Sequence, residues 1–261
     1  MQAIYTAIFA LLGLALGSFL NVCIDRLPCG GSIVKPPSQC DCCHRRLAVS
    51  DLIPLVSYLW LRGRCRYCQA VIPKRVFLVE LAMGGMLAFL FYRYGFTAEL
   101  GMTGFWAALF IVIFVIDLEH GLILNKVVYP SILVALLFSA FLSPSWMEVW
   151  VLHPAAASAA LGGAVGLGMF WLIAVVSGGG MGWGDVKLAG LIGLICGFPL
   201  VLLALILGAV LGGLVALLLV VARKRKWASG QTIPFGPSLV VATMVTIIWG
   251  GGITDWYINL L

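Results

Sequence analysis

The sequence predicts an all-α polytopic membrane protein with about eight transmembrane helices and a small cysteine-rich loop domain between the first and second helices. Of its 261 residues, 62% are hydrophobic and only 10% are charged, a composition that excludes an ordinary soluble domain. Several apolar runs reach about 20 residues, the length that an α-helix needs to cross the hydrocarbon core of a bilayer. Composition and run length together define this fold class.

Eight apolar runs are the predicted spans, with seven or nine as alternatives. The first run, 2–22, lacks a basic leading segment and a small-x-small cleavage site, so we expect a retained helix and not a secretory signal. The sixth run is short, and Gly197-Phe198-Pro199 separates it from the seventh. The remaining predicted spans are 76–95, 100–117, 127–143, 154–177, 186–198, 200–222 and 236–253.

The basic residues predict the orientation of the chain. Nine of the 16 Lys and Arg residues lie between Arg26 and Arg75, and four more form the cluster 223–226. Such clustering is the positive-inside signature and places both loops in the cytoplasm. Eight spans agree with this orientation. If the loop after the first span is cytoplasmic, the chain returns to the cytoplasm after its third, fifth and seventh spans, and the cluster 223–226 follows the seventh; both termini then lie outside. We therefore attribute the net charge of +6 to topology and anionic lipid, and we expect no nucleic-acid partner.

The first loop divides the chain into three predicted parts. Residues 1–23 are the first transmembrane helix, residues 24–75 are the cytoplasmic cysteine-rich loop domain, and residues 76–261 are the transmembrane core. Glycines within the helices are often four residues apart, a spacing that lets helix backbones approach closely in lipid, and we interpret them as packing positions. The pairs are Gly13/Gly17, Gly162/Gly166, Gly193/Gly197 and Gly208/Gly212.

The loop domain carries two cysteine pairs, Cys40-x-x-Cys43 and Cys65-x-x-Cys68, with 21 residues between them. Four thiolates in two such pairs form a tetrahedral soft-ligand site. A loop of about 50 residues buries little hydrophobic core, so we expect a structural zinc ion to stabilise its fold. Disulfides are the alternative, which the reducing cytoplasm disfavours. Cys42, adjacent to Cys43, is an alternative ligand.

Two aspartates occupy the edges of long apolar runs. Asp117 ends the run 105–116, and Asp185 closes a Gly-Trp-Gly-Asp segment. A carboxyl group at such a depth costs several kcal/mol unless it is paired or hydrated, which makes both residues candidates for function. The predicted topology places them on the same, cytoplasmic face. Two carboxyls that share a proton can hydrolyse an amide, because the ionised one activates water while the protonated one donates to the carbonyl oxygen.

Residue chemistry alone leaves other interpretations of the aspartates open. Each could cap a helix at the membrane edge, and Asp185 could pair with Lys187, although residues two apart on a helix do not face each other. The two could also belong to an ion pathway in a zinc-stapled membrane transporter. Glu80, near the end of a predicted span, is interpreted as a hydrated boundary carboxylate.

Four sequence blocks carry a family resemblance. They read GSFLNVCIDRLP at 17–28, the cysteine pairs ending in GRCRYC at 63–68, DLE at 117–119 and GWGDVKL at 182–188. Each block alone is weak, but all of them in this order resemble the bacterial type IV prepilin peptidases, a family of GxGD-type intramembrane aspartyl proteases. The last third of the chain is similar mainly in hydropathy.

The resemblance implies an enzyme of the bacterial inner membrane that cleaves type IV prepilins and type II secretion pseudopilins after a glycine, removing a short basic leader at the cytoplasmic face. It implies Asp117 and Asp185 as the catalytic pair. Many family members also methylate the new N-terminal residue with S-adenosylmethionine, and such members usually carry the cysteine-rich loop. Methylation is therefore implied here, and a peptidase without it is the alternative.

The resemblance also implies a ligand set for the zinc ion, namely Cys40, Cys43, Cys65 and Cys68. The sequence departs from the family pattern inside the first pair, where Asp41 and the additional Cys42 bear on the zinc register. No glycine-rich nucleotide loop of the soluble type marks an S-adenosylmethionine site. Its location, like the oligomeric state, is not predicted.

Overall fold

The structure, a computed structural model, describes residues 1–142, 144–147, 155–178, 180–222 and 234–259. Among these residues the regular structure is helical, apart from two isolated β-bridges in the cysteine loop. The all-α prediction is therefore confirmed for the described part of the chain. The helices are α1 (Gln2–Arg26), α2 (Val56–Trp60), α3 (Lys74–Tyr94), α4 (Ala98–His120), α5 (Asn125–Phe141), α6 (Ala155–Val176), α7 (Trp183–Cys196), α8 (Leu200–Ala222) and α9 (Gly236–Ile258).

A helix overlaps each of the eight predicted spans, but these helices differ in length. Six of them, α1, α3, α4, α6, α8 and α9, are long and apolar enough to cross a membrane. With 17 and 14 residues, α5 and α7 are only about 26 and 21 Å long, less than the roughly 30 Å of a hydrocarbon core. The chain is thus a multi-pass membrane protein, and the count of eight spans stays a prediction.

The chain divides into two compact units, residues 1–112 and residues 113–261, with the boundary inside α4. In the first unit α1 packs along α3. The glycines of α1 lie at this contact, since a Cβ added to Gly17 would come within 2.7 Å of the Cα of Glu80. The absence of side chains at Gly13 and Gly17 therefore lets the two backbones approach closely.

In the second unit α7 is the central helix and is buried along most of its length. It packs most extensively against α6, where a Cβ on Gly162 or on Gly193 would collide with the backbone carbonyl of the other residue. A Cβ on Gly208 or on Gly212 of α8 would lie 2.7 or 2.5 Å from side-chain atoms of Leu239 or Phe235, respectively, at the start of α9. The predicted packing role of the paired glycines is thereby confirmed.

Two predictions are not tested by this architecture. The basic cluster Arg223-Lys224-Arg225-Lys226, which predicts the cytoplasmic side, lies outside the described residues. The division into residues 1–23, 24–75 and 76–261 also stays a prediction, because the two compact units meet at residues 112 and 113 and do not test those boundaries.

Candidate active site and metal centre

Asp117 lies in the last turn of α4 and is almost completely buried, with 4% of its surface exposed. Its backbone carbonyl accepts a hydrogen bond of 2.8 Å from the N–H of Gly121. Its side-chain Oδ2 is buried and makes no hydrogen bond to any described residue. Because Asp117 lies near the end of its helix and not at the start, the N-capping interpretation does not apply to α4.

Asp185 is the third residue of α7, and its N–H donates to the carbonyl of Gly182 at 3.1 Å. Gly182 is the N-cap of the helix, so Asp185 lies inside the first turn and does not cap it. The partial positive charge of the helix N-terminus favours a carboxylate at this position. A Cβ on Gly182 would meet only Oδ2 of Asp185 within 4 Å among the described residues, so this side of the carboxyl is sterically open.

Ile123, in the turn between α4 and α5, connects the surroundings of the two aspartates. A Cβ on Gly184, next to Asp185, would lie 2.9 Å from the Cβ of Ile123. A Cβ on Gly236, the first residue of α9, would lie 3.4 Å from Cδ1 of Ile123 and would collide with Oδ2 of Asp117. Ile123 therefore lies close to the surroundings of both aspartates, which are 68 positions apart in sequence.

Gly236 is a site residue that the sequence analysis missed. It belongs to the segment Pro234-Phe235-Gly236-Pro237, which opens α9 and places a proline in its first turn. The signal available in the sequence was this proline- and glycine-containing segment directly before the last apolar run, since both residues commonly mark the boundary of a helix. Nothing in it indicated that the glycine would contact a carboxyl group 119 positions earlier.

Lys187 has partners other than Asp185. Its Nζ donates a hydrogen bond of 2.9 Å to Oδ1 of Asn125 and lies 5.5 Å from the ring centroid of Tyr129. Asp185 forms no ion pair with a described residue. The ion-pair interpretation of Asp185 is therefore not supported, and Lys187 instead ties α7 to α5.

The two cysteine pairs form nearly identical turns. His44 N–H donates to the carbonyl of Cys40 at 2.8 Å, and Gln69 N–H donates to the carbonyl of Cys65 at 3.0 Å. Both His44 and Gln69 have positive φ, 53° and 60°, immediately after the second cysteine of each pair. Each turn directs both of its sulfurs to one side, as a shared metal ion requires.

The sulfurs of Cys40, Cys43, Cys65 and Cys68 all lie within 4.8 Å of one another. Tetrahedral zinc with bonds of about 2.3 Å would separate its sulfurs by about 3.8 Å, and the Cys40 and Cys68 sulfurs are 3.7 Å apart. Cys42 is exposed and lies outside this group. The structure thus brings the four predicted ligands together and favours Cys43 over Cys42.

The environment of Cys65 suits a metal ligand. This cysteine is buried, and the backbone N–H groups of Cys68 and Tyr67 lower the pKa of its thiol to about 7. The N–H of Tyr67 lies 3.5 Å from the sulfur. Since the thiolate is the form that binds metal, these backbone groups favour the ligating state of Cys65.

Glu80 differs from its predicted hydrated state. Only 5% of its surface is exposed, and its Oε2 accepts a hydrogen bond of 2.8 Å from the N–H of Leu55. The loop folds back over the start of α3 and covers this carboxyl group. The prediction was wrong because loop position cannot be read from the hydropathy of the helix that carries Glu80.

Fold and site together describe a polytopic membrane protein with two buried or partly buried carboxyl groups in one unit and a four-cysteine cluster in the other. Family models agree with this division. The Bacterial Peptidase A24 N-terminal domain matches residues 11–94, and the Type IV leader peptidase family matches residues 104–217. The chain belongs to the type IV leader peptidase family.

Individual relatives extend the similarity over nearly the whole chain. Prepilin leader peptidase/N-methyltransferase of Stutzerimonas stutzeri is 32% identical, covering 95% of this chain and 92% of the relative. The proteins of that name from Pseudomonas putida and Bacillus subtilis are 33% and 29% identical and cover 99% and 97% of this chain and 96% and 98% of their own lengths. No solved structure matches the chain significantly. The predicted prepilin peptidase family, and with it an enzymatic function, is confirmed.

Proposed function

We propose that the protein cleaves type IV prepilins and type II secretion pseudopilins after a glycine at the cytoplasmic face of the inner membrane, with Asp117 and Asp185 as the catalytic pair. The observation that supports this proposal is that Ile123 lies beside both Gly184, next to Asp185, and Gly236, which contacts Asp117, while Oδ2 of Asp117 is buried and has no hydrogen bond to a described residue. A buried carboxylate oxygen without a hydrogen bond is costly unless something binds it, so a substrate or water is the partner we propose for Oδ2 of Asp117.

The proposed chemistry assigns complementary roles to the two carboxyls. The ionised one removes a proton from water as the water attacks the scissile carbonyl carbon, while the protonated one donates a proton to the carbonyl oxygen. Because Gly182 adds no side chain beside Asp185, an extended substrate backbone can approach that carboxyl group. Since the two carboxyls interact, they would titrate as a coupled pair.

The second proposed activity is methylation of the newly exposed N-terminal residue with S-adenosylmethionine. The names of the relatives combine leader peptidase and N-methyltransferase, and the similarity covers nearly the full length of this chain. Zinc bound by Cys40, Cys43, Cys65 and Cys68 would hold the loop fold together and would take no part in the chemistry.

The test is incubation of the purified protein in lipid with a prepilin, with and without S-adenosylmethionine, followed by mass spectrometry of the product N-terminus. We expect Asp117→Asn and Asp185→Asn each to lower the cleavage rate by about 10²–10⁴-fold. Asp255→Asn, an exposed carboxylate near the end of α9, is the matched control and should cleave normally. Substantial cleavage by a correctly inserted Asp117→Asn or Asp185→Asn protein would refute the catalytic pair.

The same experiment separates the alternatives. A cleaved product that keeps an unmodified amine at saturating S-adenosylmethionine would identify a peptidase without methylation. Substrate flux into sealed vesicles without any prepilin processing would identify the transporter, which the peptidase family assignment leaves without support.

A further inference from the structure

A cavity of about 450 Å³ lies in the first unit, where α1 ends, α3 begins and the cysteine loop covers both. Its wall includes Asn21 of α1, Glu80 of α3 and Tyr58 of α2. Cys40 and Cys65 of the cysteine cluster also line it. A cavity of this size accommodates a ligand of cofactor dimensions.

Asn21 presents an unsatisfied acceptor in this wall. It is 5% exposed, and its Nδ2 donates to the carbonyls of Gly17 and Val76 at 3.2 and 3.0 Å. These two carbonyls fix the orientation of the amide, because Oδ1 in that place would face two acceptors. Oδ1 is therefore buried on the other side, without a hydrogen bond to any described residue. A buried amide oxygen in this state is stabilised by a ligand that donates a hydrogen bond.

Glu80 adds a buried carboxyl group to the same wall. Of the other carboxylates in the wall, Asp51 pairs with Arg66 at 2.7 Å and Asp25 pairs with Arg75, whereas Asp41 is exposed. Glu80 has no ion pair with a described residue, and its carboxyl group forms hydrogen bonds with the Leu55 N–H and with the Ser18 hydroxyl. A buried carboxyl group without an ion pair, in the same wall as an unsatisfied amide oxygen, favours a ligand with positive charge and N–H donors over a phosphate.

Two further side chains define the remaining requirements of the ligand. Arg26 lines the cavity, donates from Nη1 to the carbonyl of Ser32 and forms no ion pair with a described carboxylate. It is thus available for a ligand carboxylate. The ring of Tyr58 provides a surface on which a planar base or a sulfonium can pack.

We propose that this cavity binds S-adenosylmethionine, an inference that rests on the methylation activity proposed above. Its sulfonium and α-ammonium groups would be attracted by Glu80, and one of its donors would reach Oδ1 of Asn21. Its carboxylate would face Arg26, and its adenine would pack on apolar wall residues and Tyr58. This ligand matches Asn21, Glu80 and Arg26, whereas a nucleotide phosphate matches only Arg26.

The experiment is equilibrium binding of S-adenosylmethionine and S-adenosylhomocysteine to the full-length protein in lipid nanodiscs. The second compound lacks the sulfonium charge, so the wild-type protein should bind it more weakly. Glu80→Gln should weaken S-adenosylmethionine binding about tenfold or more and reduce the preference for the charged compound. Glu99→Gln, a carboxylate at the start of α4 that does not line the cavity, is the matched control.

A second variant keeps the test decisive if Glu80→Gln loses its zinc and thus its loop fold. Arg26→Gln should weaken S-adenosylmethionine while leaving decarboxylated S-adenosylmethionine unchanged, because only the first compound carries the carboxylate. Equal zinc content in wild type and variant establishes that the loop is intact.

The possible outcomes distinguish a wrong assignment of the cavity from a wrong proposal of methylation. If wild type methylates prepilin but both variants bind S-adenosylmethionine as wild type does, the cavity assignment is wrong and the methylation proposal stands. If wild type cleaves but neither binds S-adenosylmethionine nor methylates, both fail. If a synthetic basic leader peptide competes for the cavity and loses affinity in Glu80→Gln, the cavity is a leader site and the cofactor assignment is overturned.

Discussion

At the scale of single residues, the ends of helices determine how each aspartate is stabilised. Asp117 lies in the last turn of α4, where the partial negative charge of a helix C-terminus disfavours a carboxylate. Its Oδ2 lies against Gly236, the first residue of α9, where the partial positive charge of an N-terminus favours it. Asp185 lies in the first turn of α7. Each carboxyl group therefore has a helix N-terminus beside it.

Gly236→Ala tests whether this contact positions Asp117. A Cβ at this residue would collide with Oδ2 of Asp117, so the carboxyl group must move. We expect the kcat for leader cleavage to fall about 10²-fold, since displacements near 1 Å have such effects, with little change in KM. The measurement is the steady-state kinetics of prepilin cleavage.

The control for Gly236→Ala is on the same helix. Gly252→Ala in α9 meets no atom within 4 Å among the described residues and should retain the wild-type kcat. A Gly236→Ala protein with wild-type kcat would show that Asp117 does not depend on the close approach of α9.

Individual side chains differ in how far the sequence predicted them. The cysteine pairs and the aspartates were predicted because chemically distinctive residues occurred at short, regular spacing or in apolar runs. Asn21, Glu80 and Gly236 were not, because their roles depend on contacts with residues 55, 25 and 119 positions away. Such contacts become visible only when the helices are packed.

At the scale of helices, glycines determine where backbones meet. Gly162 of α6 and Gly193 of α7 each fill the space that a Cβ on the other would need. Trp146 and Ser158 add hydrogen bonds of 3.0 Å to the carbonyls of Ile195 and Phe198 at the end of α7. This close contact holds the short helix that carries Asp185.

Gly162→Ala tests the packing of α6 on α7. The added Cβ would collide with the carbonyl of Gly193, and overpacking of this kind costs about 1–3 kcal/mol. We expect a lower midpoint of thermal unfolding in lipid or detergent. Gly168→Ala in the same helix meets nothing within 4 Å among the described residues and should leave the midpoint unchanged or slightly raised. Equal midpoints for the two variants would contradict this packing.

Helix lengths show a limit of sequence reasoning at this scale. The apolar runs located every described α-helix except the short α2, because hydropathy reports burial in lipid or protein. They did not distinguish a spanning helix from a buried one, and α7 is apolar because it is enclosed by its neighbours. Length, at about 21 Å, is what separates α7 from the six qualifying spans.

At the scale of the whole molecule, the two proposed activities belong to different units. The four cysteines and the whole wall of the 450 Å³ cavity lie within residues 1–112, and both aspartates lie within residues 113–261. A family model for the N-terminal domain and one for the leader peptidase family match the two regions separately. This division leads to the expectation that methylation can be lost while cleavage is retained.

Cys43→Ser tests that expectation. Removal of one of four ligands should abolish the binding of about one zinc ion per chain and loosen the loop that lines the cavity. We expect S-adenosylmethionine binding and methylation to be lost, while the leader is still removed. The measurements are metal analysis, equilibrium binding and product mass on the same preparation.

Cys42→Ser is the matched control and should retain zinc and both activities, because Cys42 lies outside the cluster. Retention of stoichiometric zinc by Cys43→Ser, with its loss in Cys42→Ser, would reverse the ligand register. Loss of cleavage in a correctly inserted Cys43→Ser protein would show that the peptidase centre depends on the cysteine loop.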